Sequence, residues 1–234
     1  MTLCEVSLNN LNSSPVTPDG RWQPGPKHAP FVVAVLVLAL IMVWLTGMGQ
    51  NALAVKMTAV DPRIVPWHVF DTLQGRLDAL LATLAAGEVW RLVTPDFLHF
   101  SWTHLIFNAV MLWFLGSQIE WIDGRARLVV LFVVTSLTSN VLQYLVSGPL
   151  FGGLSGVVYG VMGYCWLSQQ RHPRFQFPPA LVTFALIWMV IGFTPIPEWV
   201  GLGRMANEAH LGGFLGGLAI ALVMPPHKKS PTQR

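Results

Sequence analysis

The stretch LFGGLSGVVYGVMGYCWL, residues 150–167, decides the fold class of this chain. It carries no charged residue and is nearly as long as the roughly 20 apolar residues with which a helix crosses a bilayer. Ser155 lies near the start of this stretch, among glycines, at a position where a membrane helix usually has an apolar side chain. The stretch therefore predicts a membrane helix with a polar, chemically useful group at one end.

The composition of the whole chain is that of a membrane protein. Of the 234 residues, 53% are hydrophobic and only 11% are charged, against roughly 25% charged in an average soluble domain. Six apolar runs are candidate membrane spans, at approximately residues 30–48, 102–119, 128–146, 150–167, 179–193 and 207–224. We expect an all-α protein in which a bundle of six transmembrane helices forms one domain, residues 30–224.

The two ends of the chain are polar. Residues 1–29 are rich in proline and lack apolar periodicity, which predicts a disordered cytoplasmic tail. Residues 225–234 predict a short basic cytoplasmic tail. Cys4 and Cys165 are 161 residues apart, a spacing that indicates neither a disulfide framework nor a metal site, and we expect no metal or cofactor.

The basic residues report the orientation in the membrane. With the N-terminus in the cytoplasm and six alternating spans, nine of the 14 Lys and Arg residues fall on the inner side. That excess follows the positive-inside rule and places both termini in the cytoplasm. The charges are spread over short connections and form no patch for nucleic acid, so no nucleic-acid partner is expected.

The connection between the first two runs, about residues 50–100, is too long for a simple turn. Its leucines recur with helical spacing at Leu73, Leu77, Leu80, Leu81 and Leu84. The pattern predicts a helix in the outer membrane interface, with its leucines against lipid or protein. We therefore expect a partly membrane-embedded outer loop between the first and second spans.

Four polar residues are predicted to lie at one depth. His104 and Asn108 are four residues apart, so they share a face in the outer third of the second span. Ser155 lies at the outer end of the fourth span, and His210 lies about one turn into the sixth. Since all three spans run inward, topology alone brings the four residues to the same layer.

Glycines on the fourth and sixth spans allow these helices to approach closely. Gly156 and Gly160 are four residues apart on the fourth span, and Gly213 and Gly217 are four apart on the sixth. Small residues at this spacing let two helix backbones pack together. We expect this packing to bring Ser155 within hydrogen-bond reach of the histidine on the sixth span.

A serine beside a histidine is an arrangement for nucleophilic catalysis. Neutral His210 can take the proton of Ser155, while His104 and Asn108 can stabilise an oxyanion. Gly153 allows a close approach at the helix start. Glu208 lies on a different face of the sixth span from His210, so no carboxylate is expected to orient the imidazole. Tyr159 is better placed to brace the imidazole by stacking.

Each of these residues has a plainer interpretation when taken alone. Gly-x-Ser-Gly is a weak motif because serine is frequent in glycine-rich packing faces. It also lacks the second glycine of soluble hydrolases, since Val157 stands there. A single membrane histidine is also compatible with proton transfer or helix bridging, and Asn108 with helix bridging. The four residues together, at one depth and beside glycines, favour a hydrolytic site.

The combined pattern resembles that of rhomboid intramembrane serine proteases, in particular the bacterial GlpG type. The matching residues are Trp90-Arg91, His104-xxx-Asn108, Gly153-Leu154-Ser155-Gly156 with Tyr159, and Ala209-His210-xx-Gly213. The resemblance extends over about residues 30–224.

The resemblance implies a catalytic dyad of Ser155 and His210 in a water-filled cavity open to the outer side. It also implies an oxyanion hole formed by His104, Asn108 and the backbone of Ser155. Expected substrates are single-span membrane proteins, cut near the outer surface of what is expected to be a bacterial inner membrane.

The same resemblance assigns supporting roles. It implies that Arg91 anchors the outer loop and that Glu120 ties the second span to its neighbours. Trp188 matches a position near a gate at the fifth span, and Met205 a position in the loop that caps the site. Gly153 and Gly156 belong to the serine motif.

Two features depart from the GlpG-type pattern. Residues 1–29 are too short and polar for the folded cytoplasmic domain of that type, and the connection over residues 194–206 is longer. The competing hypotheses are a catalytically inactive rhomboid-like protein that binds membrane clients, and a proton or ion transporter that uses the two histidines. The presence of both Ser155 and His210 favours the protease.

Overall fold

The computed structural model describes residues 14–17, 20–201 and 204–224. Over these residues the ordered structure is helical, and the one β-bridge, between Val16 and Trp22, belongs to no strand. The helices are α1 (Pro30–Leu45), α2 (Ala52–Met57), α3 (Leu73–Ala85), α4 (Trp102–Ile122), α5 (Arg125–Ser147), α6 (Ser155–Arg171), α7 (Pro179–Gly192), α8 (Ile196–Trp199) and α9 (Asn207–Val223).

The six apolar runs each contain one long helix: α1, α4, α5, α6, α7 and α9. Of the described helices, α4 and α5 are long and apolar enough to cross a membrane by length and composition, while α1 and α7 are shorter apolar helices. The all-helical class agrees with the sequence. The count of six membrane spans stays a prediction.

Glycines bring α9 directly against α6. A Cβ added at Gly213 would overlap the carbonyl oxygen of Gly156, and one at Gly217 would overlap that of Gly160. Another α9 glycine, Gly216, lies against a side chain of α5. Backbones this close leave no room for side chains between them, so the relative position of α6 and α9 is fixed.

Part of the N-terminal segment is hydrogen-bonded to distant residues. The Trp22 backbone N–H donates to Gln176 Oε1 (3.0 Å), and its indole N–H donates to Ser117 Oγ (3.3 Å). Gln176 also donates to the carbonyl oxygen of Gly20 (2.8 Å). Distant polar groups therefore bind Gly20 and Trp22. The disordered tail over residues 1–29 stays a prediction, and residues 1–13, 18, 19 and 225–234 lie outside the described residues.

Arg91 holds the outer connection together. Its guanidinium is buried, and Nη1 donates to the carbonyl oxygens of Thr58 (2.9 Å) and Val55 (3.2 Å). The side chain also pairs with Glu88 at 2.5 Å. One cation thus joins the end of α2 to the turn Val89–Leu92.

The predicted leucine stripe forms α3, whose first turn is capped by Thr72. Its members divide between two environments. Leu80 is buried beside Phe70, whereas Leu73 and Leu81 are exposed. The position of α3 in a membrane interface stays a prediction.

Glu120 joins α4 to α1. Its two carboxylate oxygens accept the backbone N–H groups of Phe31 (2.9 Å) and Val32 (3.0 Å). These are N–H groups of the first turn of α1, which have no partner within the helix. Arg125 forms an ion pair with the same carboxylate (2.9 Å).

Candidate active site

Ser155 is the first residue of α6, after an irregular segment that ends with Gly152, Gly153 and Leu154. Gly153 has a φ of +116°, in the left-handed region where glycine is favoured. A Cβ at this position would overlap the imidazole of His104. Glycine therefore lets the chain turn sharply into α6 while it contacts α4.

His210 lies in the first turn of α9, and two side chains hold that turn. Gln143 of α5 accepts the backbone N–H of Ala209 through its Oε1 (2.9 Å). Asn207 donates from its amide to the carbonyl oxygen of Gly192, at the end of α7. The helix start that carries His210 is thereby connected to both α5 and α7.

The serine and the histidine meet. His210 Nε2 lies 3.0 Å from Ser155 Oγ, a hydrogen-bond distance. The histidine is only 5% exposed. This geometry allows the imidazole to accept the hydroxyl proton.

An aromatic ring braces the imidazole. The rings of Tyr159 and His210 are stacked, with centroids 4.4 Å apart and planes 21° from parallel. The Tyr159 hydroxyl donates to the carbonyl oxygen of Ala185 in α7 (3.0 Å). His210 Nδ1 is buried and finds no hydrogen-bond partner among the described residues, so no carboxylate orients this ring.

His104 and Asn108 lie on one face of α4, which begins at Trp102 because Ser101 caps it. The His104 ring lies against Gly153, two residues before Ser155. The Asn108 amide is 1% exposed and contacts His99 Nε2 at 3.3 Å. His104 therefore lies against the segment that precedes the serine, whereas Asn108 is connected to it through His99.

His99 was not predicted from the sequence. Its Nε2 faces both the Asn108 amide and the backbone N–H of Leu154 (3.4 Å). Both are donors, so Nε2 is the acceptor and His99 is neutral. Burial, together with His104, lowers the pKa of His99 to about 3, in agreement with that assignment.

Gln143 was likewise missed. A polar amide inside an apolar run is a signal that could have identified it, since polar groups in membrane segments usually have a partner. Its partner is a backbone N–H 66 residues later, and that pairing cannot be read from the sequence.

Three further predicted residues are Trp188, Met205 and Gly156. Trp188 is half-buried on α7 and stacks on Phe184, and Met205 lies just before α9. Gly156 packs against the Ser139 side chain of α5. Among the described residues, no three His, Cys, Asp or Glu side chains are grouped as metal ligands.

The chain is similar in sequence to known proteins. A family model for the rhomboid domain matches residues 86–227. The chain is 35% identical over 212 residues to proteins named rhomboid protease GlpG from Salmonella typhi and Salmonella newport (strain SL254), and 36% identical to that of Salmonella choleraesuis (strain SC-B67). Each alignment covers 86% of this chain and 72% of the relative. The chain therefore belongs to the rhomboid family of serine proteases.

Proposed function

We propose that this chain is an intramembrane serine endopeptidase that cuts single-span membrane proteins near the outer membrane surface with a dyad of Ser155 and His210. The observation that carries the proposal is the 3.0 Å distance between Ser155 Oγ and His210 Nε2. The named rhomboid proteases among its relatives support the same activity.

The chemistry follows from this pair. Ser155 Oγ attacks the carbonyl carbon of the scissile peptide as its proton passes to His210 Nε2. The imidazolium then donates that proton to the leaving amine, and a water molecule hydrolyses the acyl-enzyme with His210 again as the base. Stacking on Tyr159 keeps the ring in position in place of a carboxylate.

We assign the oxyanion to the side chains of His104 and Asn108 and to the backbone N–H of Ser155. The Ser155 N–H is the first of α6, and such groups favour developing negative charge. The contact of His104 with Gly153 supports this assignment. The Gly153 N–H is unsuited to the same task because it already donates to the carbonyl oxygen of Pro95 (2.9 Å).

The proposed topology has six spans, cytoplasmic termini and a site that opens to the outer side. The excess of basic residues on the inner side supports this orientation. On this topology, Trp188 and Met205 belong to the elements that border the entrance: α7 and the connection over residues 194–206. A membrane-embedded substrate would reach Ser155 past these elements.

The test is cleavage of a single-span reporter protein in liposomes by purified variants. Ser155→Ala and His210→Ala should each lower turnover about 1,000-fold or more, because the two residues act as a unit. Ser168→Ala, at the other end of α6, and His172→Ala are matched controls and should remain active. Thermal unfolding in detergent checks that all four variants fold. Persistent cleavage by folded Ser155→Ala or His210→Ala would exclude the proposed dyad.

A further inference from the structure

A buried carboxyl group outside the dyad has no counter-ion. Asp96 is 0% exposed, and it forms no ion pair with any of the described residues. Asn140 Nδ2 donates to its Oδ1 (2.9 Å), and the Ser136 hydroxyl donates to its Oδ2. Aspartate is seldom fully buried without a cation, since removing its charge from water is costly. Its presence here calls for a role that an apolar side chain would not perform.

The segment that carries Asp96, residues 92–99, lies directly against the backbone that leads into Ser155. The Pro95 carbonyl oxygen accepts the N–H of Gly153 (2.9 Å). A Cβ at the preceding residue, Gly152, would come within 2.5 Å of Leu98 Cβ. His99, the last residue of the segment, accepts the N–H of Leu154. Each of the three residues before the serine is thus in contact with the 92–99 segment.

Helix α5 holds this segment at two points. Asn140 Nδ2 donates to the carbonyl oxygen of Leu92 (3.0 Å) as well as to Asp96. Ser136, one turn earlier on the same face of α5, binds the second carboxyl oxygen of Asp96. The carboxyl group is therefore the link through which two side chains of a long, regular helix fix an irregular segment.

We propose that Asp96 is a positioning residue, which fixes residues 92–99 on α5 and thereby sets the geometry of residues 152–155 at the oxyanion site. This inference rests on the proposed function. Oxyanion donors act only within a narrow range of distances from the reacting atom, so the backbone before Ser155 must be held rigidly. Asp96 acts through Pro95 and Gly153 and does not touch the dyad.

Asparagine at this position can keep the link without a charge. Its side-chain oxygen can accept from Asn140, and its Nδ2 can donate to the Ser136 hydroxyl. It thus imitates the protonated carboxyl group. Burial raises the pKa of Asp96 to about 7, so that protonated form is populated at neutral pH. Alanine removes both hydrogen bonds.

The experiment compares Asp96→Ala with Asp96→Asn in the reporter assay and in the rate of Ser155 acylation by a fluorophosphonate. Asp96→Ala should lower kcat and the acylation rate about tenfold or more, since misplaced catalytic groups lose up to about 100-fold. KM should change by less than about threefold, because the lost interactions do not contact substrate. Asp96→Asn should stay within about threefold of wild type. Asp71→Ala, an exposed aspartate of the same outer connection, is the control.

An unchanged kcat in Asp96→Ala, an equal loss in both variants, or an effect confined to KM would each overturn the positioning role. If Asp96→Ala does not fold, Ser136→Ala and Asn140→Ala remove one hydrogen bond each. Both should then lower kcat severalfold, and full activity in both would overturn the proposal. An error in the proposed dyad would be distinguishable from an error in the role of Asp96, because only the former would allow folded Ser155→Ala to cleave the reporter.

Discussion

His210, the proposed base, has no carboxylate partner among the described residues. In the familiar triads, an acidic side chain fixes the tautomer and orientation of the imidazole. Here the described residues offer no hydrogen-bond partner to Nδ1, and the ring is held from its face by Tyr159. The tyrosine is in turn fixed by its hydroxyl, which donates to Ala185. Orientation of the base therefore depends on ring packing and on its hydrogen bond with the serine.

Two substitutions of Tyr159 separate the ring from the hydroxyl. Tyr159→Phe keeps the stacked ring and should retain activity within about threefold, whereas Tyr159→Ala removes it and should lower kcat about tenfold. The estimate follows from the roughly 0.5–1.5 kcal/mol of an aromatic pair. Steady-state kinetics on the liposome reporter gives both values. Equal activity of Tyr159→Ala and wild type would mean that stacking does not orient the base.

Helix α5 organises the site although it carries neither member of the proposed dyad. Ser136, Asn140 and Gln143 lie on one face of this helix. The first two hold Asp96, and the third accepts the N–H of Ala209 in α9. One regular helix thus fixes the approach to Ser155 and the helix start that bears His210.

The contact between α6 and α9 is close enough to test by adding one methyl group. Gly213→Ala should destabilise the protein by about 1–3 kcal/mol, the usual range for overpacking, because the new Cβ overlaps the Gly156 carbonyl oxygen. It should also lower kcat, since α6 and α9 carry the two members of the proposed dyad. Thermal unfolding in detergent and reporter kinetics measure the two effects.

Leu215→Ala is the matched control, because Leu215 lies on the exposed side of α9. It should leave kcat near the wild-type value. Wild-type stability and kcat in Gly213→Ala would show that the two backbones are further apart than described here.

For the molecule as a whole, the sequence was informative where the signal is local and periodic. The apolar runs predicted the long helices, and the glycine spacing predicted the approach of α6 and α9. Ser155 and His210, which the sequence predicted to lie at one depth, are in contact in the structure, whereas their depth in a membrane stays a prediction. Family membership, shown by the rhomboid match over residues 86–227, agrees with the resemblance drawn from the motifs.

The features that the sequence did not disclose depend on pairings between distant residues. Trp22 binds Gln176, 154 residues later, and nothing in the composition of residues 1–29 indicates this contact. Asp96 and Asn140 are 44 residues apart, and His99 and Leu154 are 55 apart. No local pattern encodes such contacts, because each is created only when the helices pack.

The central claim is that His210 activates Ser155 inside the folded protein. The most direct measurement is mass-spectrometric mapping of the adduct formed by a fluorophosphonate probe on purified wild type and on His210→Ala. The account predicts an adduct on Ser155 in the wild type and, in folded His210→Ala, a rate lower by about 1,000-fold. An unmodified Ser155 in active wild type, or equally fast modification without His210, would contradict it.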